Sequence, residues 1–234
     1  MPVDIIKGNL FSSGAQTLVN TVNCMGVMGA GVALEFRLRY PHMFNKYVEM
    51  CEEGSLSIGK LWIYKASQDK WVLNFPTKND WKLPSKMEYL EQGLQKFVDT
   101  YIEKGVESVA FPLLGSDKGG LNPQDVEGTM LRYLSKCSIP VEIYHYDPEA
   151  RDELFDKFCQ LSDWDTIDNF SKNTGVRKNL LVNIHSAIRN NDINSFVDLS
   201  NIEGVGFKTL EKLLYFTKSN PDKEKKIQIS WLQQ

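Results

Sequence analysis

The chain has 234 residues, 42% of them hydrophobic and 24% charged, with a net charge of −3. This length buries a core without disulfides or a structural metal, and the weakly acidic balance excludes a globally basic nucleic-acid binder. It has no apolar run of the ~18 residues that a membrane-spanning helix needs, and the start MPVDIIKGNLF lacks the apolar core of a signal peptide, so a cytoplasmic protein without membrane association is expected.

VDIIKG (3–8) and LVNTVN (18–23) are short, β-branched and apolar, and predict strands. From Ala30, the spacing of Val32, Ala33, Phe36 and Tyr40 predicts a helix that Pro41 stops. LWIYKA (61–66) and WVLNFP (71–76) predict two strands around the polar turn SQDK. Ser85 to Lys104 predicts a long amphipathic helix, with Ser85 and Glu88 as a capping box. SVAFPLL (108–114) predicts a buried strand, Pro123 opens another helix, and VEIYHY (141–146) is the last strand. Strands alternating with helices imply an α/β layered sheet over residues 1–147.

Beyond Tyr146 the strand signal ends. Residues 148–170 carry two basic against seven acidic residues, net −5, and predict an acidic linker helix. Residues 171–234 carry ten basic against six acidic residues, net +4, and predict short helices, with IQISWL in the polar tail ordered against some neighbour. The charge reverses where the chain changes domain. Cys24, Cys51, Cys137 and Cys159 stand far apart and form no CxxC pair, and the three histidines are scattered, so no zinc site and no cofactor are expected.

Two glycine-rich segments carry the functional signal. In NTVNCMGVMGAG (20–31), Gly26, Gly29 and Gly31 are spaced GxxGxG between a strand and a helix. Free N–H groups and the helix dipole there favour an anion such as a diphosphate. The spacing differs from the GxGxxG of a dinucleotide-binding turn. The second segment, GSDKGGL (115–121), follows a predicted parallel strand. The carboxyl edge of such a sheet is where ligands bind.

KGNLF (7–11), NTVNCMGVMGAGVALEF (20–36), FPTKNDW (75–81) and PLLGSDKGGL (112–121) together resemble the macrodomains, which bind ADP-ribose. The NCMGVMGAG and NFPTK pieces are most similar to the DNA ADP-ribosyl glycohydrolase antitoxins of bacterial toxin–antitoxin pairs, and also to the terminal ADP-ribose glycohydrolase of animals. The resemblance implies a three-layer α/β/α fold with a mixed central sheet, followed by a small all-α region. It implies ADP-ribose contacts from Asn9 and Leu10, Asn23, Gly26, Met28 to Val32 (Met28, Gly29, Ala30, Gly31, Val32), Thr77, and Gly115 to Gly119 (Gly115, Ser116, Asp117, Lys118, Gly119). Asn9 stands where the family usually has an aspartate for the adenine amino group, Asn23 matches a contact to the distal ribose, and the two glycine segments match the diphosphate loops.

Lys78 is the implied catalytic residue at the distal ribose. Its amine is either a nucleophile at C1″ or, as an ammonium, an acid and positioner for the leaving group. The animal relative has an assisting aspartate in the second loop where this chain has Gly119; Asp117 lies two residues earlier.

LSNIEGVGFKTLEKLLYF (199–216) resembles a helix-hairpin-helix, in which Gly204, Gly206 and Lys208 would meet a DNA phosphate. A helical hairpin that packs on a protein is the competing reading. The expected function is removal of ADP-ribose from modified DNA, in partnership with a cognate ADP-ribosyltransferase toxin. The alternatives are a non-catalytic ADP-ribose-binding module, a hydrolase acting on ADP-ribosylated protein or on ADP-ribose 1″-phosphate, and a toxin-neutralising binder.

Overall fold

A computed structural model describes residues 3–150, 152–162, 164, 166–190 and 193–220. The expected order in IQISWL lies outside them. The chain forms two compact units that divide between Pro148 and Glu149.

The first unit is built on β1 (Val3–Gly8), β2 (Thr17–Asn23), β3 (Trp62–Lys65), β4 (Trp71–Lys78), β5 (Val109–Pro112) and β6 (Val141–Tyr146). They form one mixed sheet in the order β1-β6-β5-β2-β4-β3, antiparallel only between β3 and β4. The helices are α1 (Gly31–Arg39), α2 (Pro41–Glu52), α3 (Met87–Thr100) and α4 (Pro123–Leu134).

Alternation along the buried strands divides the core between the two faces. Leu73, Phe75, Val109, Phe111, Val141 and Ile143 pack with Leu90, Leu94 and Phe97 of α3 and with Val126 and Met130 of α4. Leu18, Val22, Val72, Ala110 and Tyr144 pack on the opposite side with Phe36 of α1 and Met43 and Tyr47 of α2. The result is the three-layer α/β/α arrangement. Gly93 brings α3 onto β4 so closely that a Cβ there would lie 2.2 Å from Cζ of Phe75.

α1 closes at Arg39, just ahead of Pro41 as expected, and Pro41 then occupies the first turn of α2, where its missing N–H costs no hydrogen bond. Two local expectations are corrected. Ser85 is not a helix cap. Lys86 holds that position, and the Ser85 amide donates instead to the Gly119 carbonyl, 3.0 Å away, which ties it to the second glycine loop. The same helix stops at Thr100 rather than Lys104, in a turn that ends at Gly105 with φ of 76°.

The second unit contains α5 (Glu153–Leu161), α6 (Ile167–Thr174), α7 (Lys178–Arg189) and α8 (Phe207–Ser219). Asp152 caps α5 by accepting from the amides of Leu154 and Phe155. Phe155, Phe158, Phe170, Leu181, Ile184, Phe196, Leu210 and Leu213 are buried within the unit. Trp164 stacks on His185 at 4.7 Å between ring centroids. Among the described residues, no helix is long and apolar enough to cross a membrane.

Candidate functional site at the carboxyl edge of the sheet

Parallel pairing sends the ends of β2, β4 and β5 to one edge. β2 delivers Asn23 and the first glycine loop, β4 delivers Lys78, and β5 leads into the second glycine loop. Between β2 and β4 the register runs Val22↔Pro76 and then Asn23↔Lys78, so Thr77 is an extra residue on β4. A bulge of this kind re-aims the side chain that follows it. It sets Lys78 opposite Asn23 while Thr77 itself is buried.

The first loop is held by one side chain. Asn23 Nδ2 donates to the Val27 carbonyl at 2.6 Å, and Asn23 Oδ1 accepts from the amides of Met25 (2.9 Å) and Val27 (3.3 Å). The buried Tyr47 hydroxyl of α2 donates toward Asn23 Oδ1 and the Asn23 carbonyl, at 3.0 and 2.8 Å. Gly26 has φ of 76°, and a Cβ there would meet the α2 backbone at Val48 (3.6 Å), so this turn both needs glycine and lies against α2. Met28, an expected ligand contact, is fully buried in the core, main chain included. Ala30 is the N-cap of α1 and makes no side-chain cap bond. Leu34 N to Ala30 O is the first bond of the helix, so the amides of Gly31, Val32 and Ala33 have no intrahelical acceptor. Such amides suit a diphosphate.

The second loop is closed by Leu121 N to Gly115 O (3.0 Å) and Gly120 N to Asp117 O (3.2 Å). The Ser116 hydroxyl donates to the Leu113 carbonyl at 2.9 Å. Gly115 has φ of 63°. Gly119 is required by space: a Cβ there would lie 2.2 Å from the Gly115 carbonyl oxygen and 2.5 Å from Ser85 Oγ. The loop tip leans over the start of α1, because a Cβ on Gly31 would lie 3.6 Å from Asp117 Oδ2 and 3.8 Å from Lys118 Cγ. The two glycine loops therefore face one another. Lys78 Nζ donates to the Lys118 carbonyl at 2.5 Å, which joins the end of β4 to that tip.

Asn9 and Leu10 lie at the end of β1. Asn9 Oδ1 accepts from the Phe11 amide at 2.9 Å and caps a short 3₁₀ turn, while the Leu10 side chain enters the core. Burial sets the thiol chemistry beside the first loop. The Cys24 thiol is pushed up to about 11 by burial and by the neighbouring Cys51, and burial raises Cys51 as well, so both are neutral at ordinary pH. Among the described residues, no three His, Cys, Asp or Glu side chains group to hold a metal ion.

Sequence reasoning missed Tyr47, because α2 behind Pro41 went unread; the i,i+4 pair Met43 and Tyr47 was the available signal. It also missed Ser85, whose buried hydroxyl has no hydrogen-bond partner and lies against the second loop. In the second unit, Gly204 has φ of 80°, Gly206 caps α8, and Lys208 lies in its first turn. The element before this hairpin is only a 3₁₀ turn, Asp198–Asn201.

The Macro domain family model matches residues 19–130. The DNA ADP-ribosyl glycohydrolase of Thermus aquaticus is 40% identical over 146 residues, which cover 61% of this chain and 40% of that protein. The chain thus spans about two fifths of the length of that curated relative. The solved macrodomain of Mycobacterium tuberculosis DarG is 39% identical with a TM-score of 0.59, covering 61% of this chain and 97% of that structure. Thermosipho africanus DarTG in complex with ADP-ribose is 37% identical with a TM-score of 0.59, covering 63% of this chain and 42% of that one.

Proposed function

The chain belongs to the macrodomain family, and on that premise we propose that it is an ADP-ribosyl glycohydrolase that releases ADP-ribose from modified DNA bases, with Lys78 acting at the distal ribose. The observation that carries the proposal is the seat of Lys78: opposite Asn23, after the Thr77 bulge, and bonded to the tip of the second glycine loop. The amides of residues 31–33 hold the diphosphate, with Gly115 to Gly119 covering it from the other side. Asn9 receives the adenine end. The relatives named DNA ADP-ribosyl glycohydrolase support the substrate class.

The reaction breaks the bond between C1″ and the nucleobase and adds water at C1″. Lys78 serves either as a nucleophile, forming a C1″–Nζ bond that water then hydrolyses, or as an ammonium that protonates the leaving base. Borohydride distinguishes them, because only the first route gives a reducible imine on the opened sugar. The function is tested with a single-stranded oligonucleotide carrying one ADP-ribose. Wild-type protein releases ADP-ribose, and Lys78→Ala abolishes release while still binding ADP-ribose. Tight ADP-ribose binding by the wild type without release from any substrate would instead establish a reader module, the alternative that the departures at Asn9 and Gly119 motivate.

A relative named as a DNA ADP-ribosyl transferase–DNA ADP-ribosyl glycohydrolase fusion supports a cognate ADP-ribosyltransferase as partner. In the second unit, the amides at the start of α8 with Gly204, Gly206 and Lys208 supply a DNA phosphate contact. The left-handed Gly204 and the +4 balance of residues 171–234 support this role.

A further inference from the structure

Seven large hydrophobic residues of the first unit are exposed among those described: Ile5, Met25, Val27, Trp81, Leu83, Ile102 and Tyr146. Four of the seven, Met25, Val27, Trp81 and Leu83, occur on two short segments that leave β2 and β4 beside Lys78. The Cys24 amide donates to the Asn79 carbonyl at 3.2 Å, so these segments start side by side. Apolar exposure on this unit is therefore concentrated at the site rather than scattered, and scattered single residues are what an ordinary surface shows.

The segment after Lys78 is also ordered. The Lys82 amide donates to Asp80 Oδ1 at 2.9 Å, and the Leu83 amide to the Asp80 carbonyl at 3.1 Å. The Ser85 amide anchors the far end on Gly119 of the second loop. This turn presents Trp81 half-exposed at 49%, with Lys82 Nζ 5.3 Å from its ring centroid. Residues 78–86, KNDWKLPSK, contain three lysines and one aspartate, net +2, in a chain whose net charge is −3. An exposed indole on a rigid turn between lysines matches a single strand of nucleic acid. Its bases stack on aromatic faces without regard to sequence, and its phosphates seek local positive charge.

We propose that Trp81, with the Lys82 ammonium beside its ring, is the platform that binds the single strand next to the ADP-ribosylated nucleotide and so selects nucleic acid as the carrier of ADP-ribose. A base neighbouring the modified one stacks on the indole, and Lys82 meets the adjoining phosphate. The assignment deepens the glycohydrolase function proposed above and rests on it for the placement of the strand.

The test compares wild type, Trp81→Ala and Trp81→Phe on two substrates: an ADP-ribosylated nucleoside and a single-stranded 12-nucleotide oligonucleotide carrying the same modification. Loss of one stacked base corresponds to a factor of about ten in affinity. Trp81→Ala is expected to raise KM for the oligonucleotide about tenfold relative to KM for the nucleoside, at similar kcat, and Trp81→Phe to restore most of the difference. Equal changes on both substrates, or none, overturn the platform while leaving the glycohydrolase intact. So does an equal rise in KM for an ADP-ribosylated peptide. A second measurement is independent of turnover: fluorescence anisotropy with an unmodified 12-nucleotide strand. Weak wild-type binding that Trp81→Ala removes supports the platform even if no hydrolysis is found, in which case the glycohydrolase proposal alone fails. Strand binding that Trp81→Ala leaves unchanged overturns the platform.

Discussion

Gly119→Ala is expected to lower ADP-ribose affinity about a hundredfold while leaving the fold intact. The new Cβ would sit 2.2 Å from the Gly115 carbonyl oxygen, 2.7 Å from its carbon and 2.5 Å from Ser85 Oγ. Two of these contacts are backbone, so no side-chain rotation relieves them. The loop has to open by on the order of 1 Å, the deficit against an ordinary van der Waals contact of ~3.4 Å or more. Opening breaks the bonds that close the loop, Leu121 N to Gly115 O and Ser85 N to Gly119 O, both 3.0 Å. At about 1 kcal/mol for each bond, with overpacking of 1–3 kcal/mol only partly relieved, the distortion costs about 3 kcal/mol. Because the loop lies outside the core, that cost falls mainly on the binding-competent loop. About 3 kcal/mol corresponds to roughly a hundredfold in Kd. Isothermal calorimetry with ADP-ribose measures it, with thermal unfolding as the check on fold. Gly128→Ala is the control, since a Cβ on that α4 glycine meets nothing within 4 Å. Affinity of Gly119→Ala within threefold of wild type would refute the steric reasoning.

Gly93→Ala should destabilise the first unit by about 2–3 kcal/mol, since its Cβ would overlap the fully buried Phe75 ring at 2.2 Å; urea unfolding reads the change. Tyr47→Phe removes the donor to the Asn23 carbonyl and Oδ1, costing about 1–3 kcal/mol of stability and several-fold in ADP-ribose affinity as the first loop loosens. Calorimetry and a melting curve on the same preparation separate the two effects. The Cys24 thiol ionises near 9.0 when unfolded and at about 11 in the fold, so the native state holds the proton more tightly. Its contribution to stability is complete below pH 9 and is lost as pH rises from 9 through 11. The wild-type Tm should therefore fall more steeply over that window than the Tm of Cys24→Ala, and parallel curves would contradict the assignment.

β2, β4 and β6 were legible because they are largely apolar runs of six to eight residues that end at or just before an Asn or Asp. The two glycine loops were legible for a related reason: their spacing encodes backbone requirements, a left-handed Gly26 and a sterically closed Gly119. What stayed hidden depends on contacts between distant segments. Ser85 has the local pattern of a helix cap, yet the Gly119 carbonyl, 34 positions away, takes its amide. Asn23 has the pattern of a ligand contact, and its side chain also holds the loop through Met25, Val27 and Tyr47. The Thr77 bulge could not be read from β4 alone, because it exists only as a change of register against β2. An exposed Trp81 is equally silent in sequence, where a tryptophan near a strand end ordinarily counts toward the core.

That bulge bears on how the site divides its work. The groups proposed to face a diphosphate are main-chain amides and closed glycine turns, whose donors do not depend on side-chain identity. The proposed chemistry instead rests on the Lys78 side chain, which follows the one irregular residue of β4. The second loop cannot supply an acid at position 119, since even a Cβ there strikes the Gly115 carbonyl. Asp117 does not fill that role from where it stands: its carboxylate leans toward Gly31 at the start of α1 and pairs with Lys118 Nζ at 3.7 Å. Lys78 is bonded to a neutral carbonyl at the loop tip rather than to a carboxylate. A neutral acceptor orients an amine without binding it as an ion pair would, which is the arrangement that the proposed role of Lys78 requires.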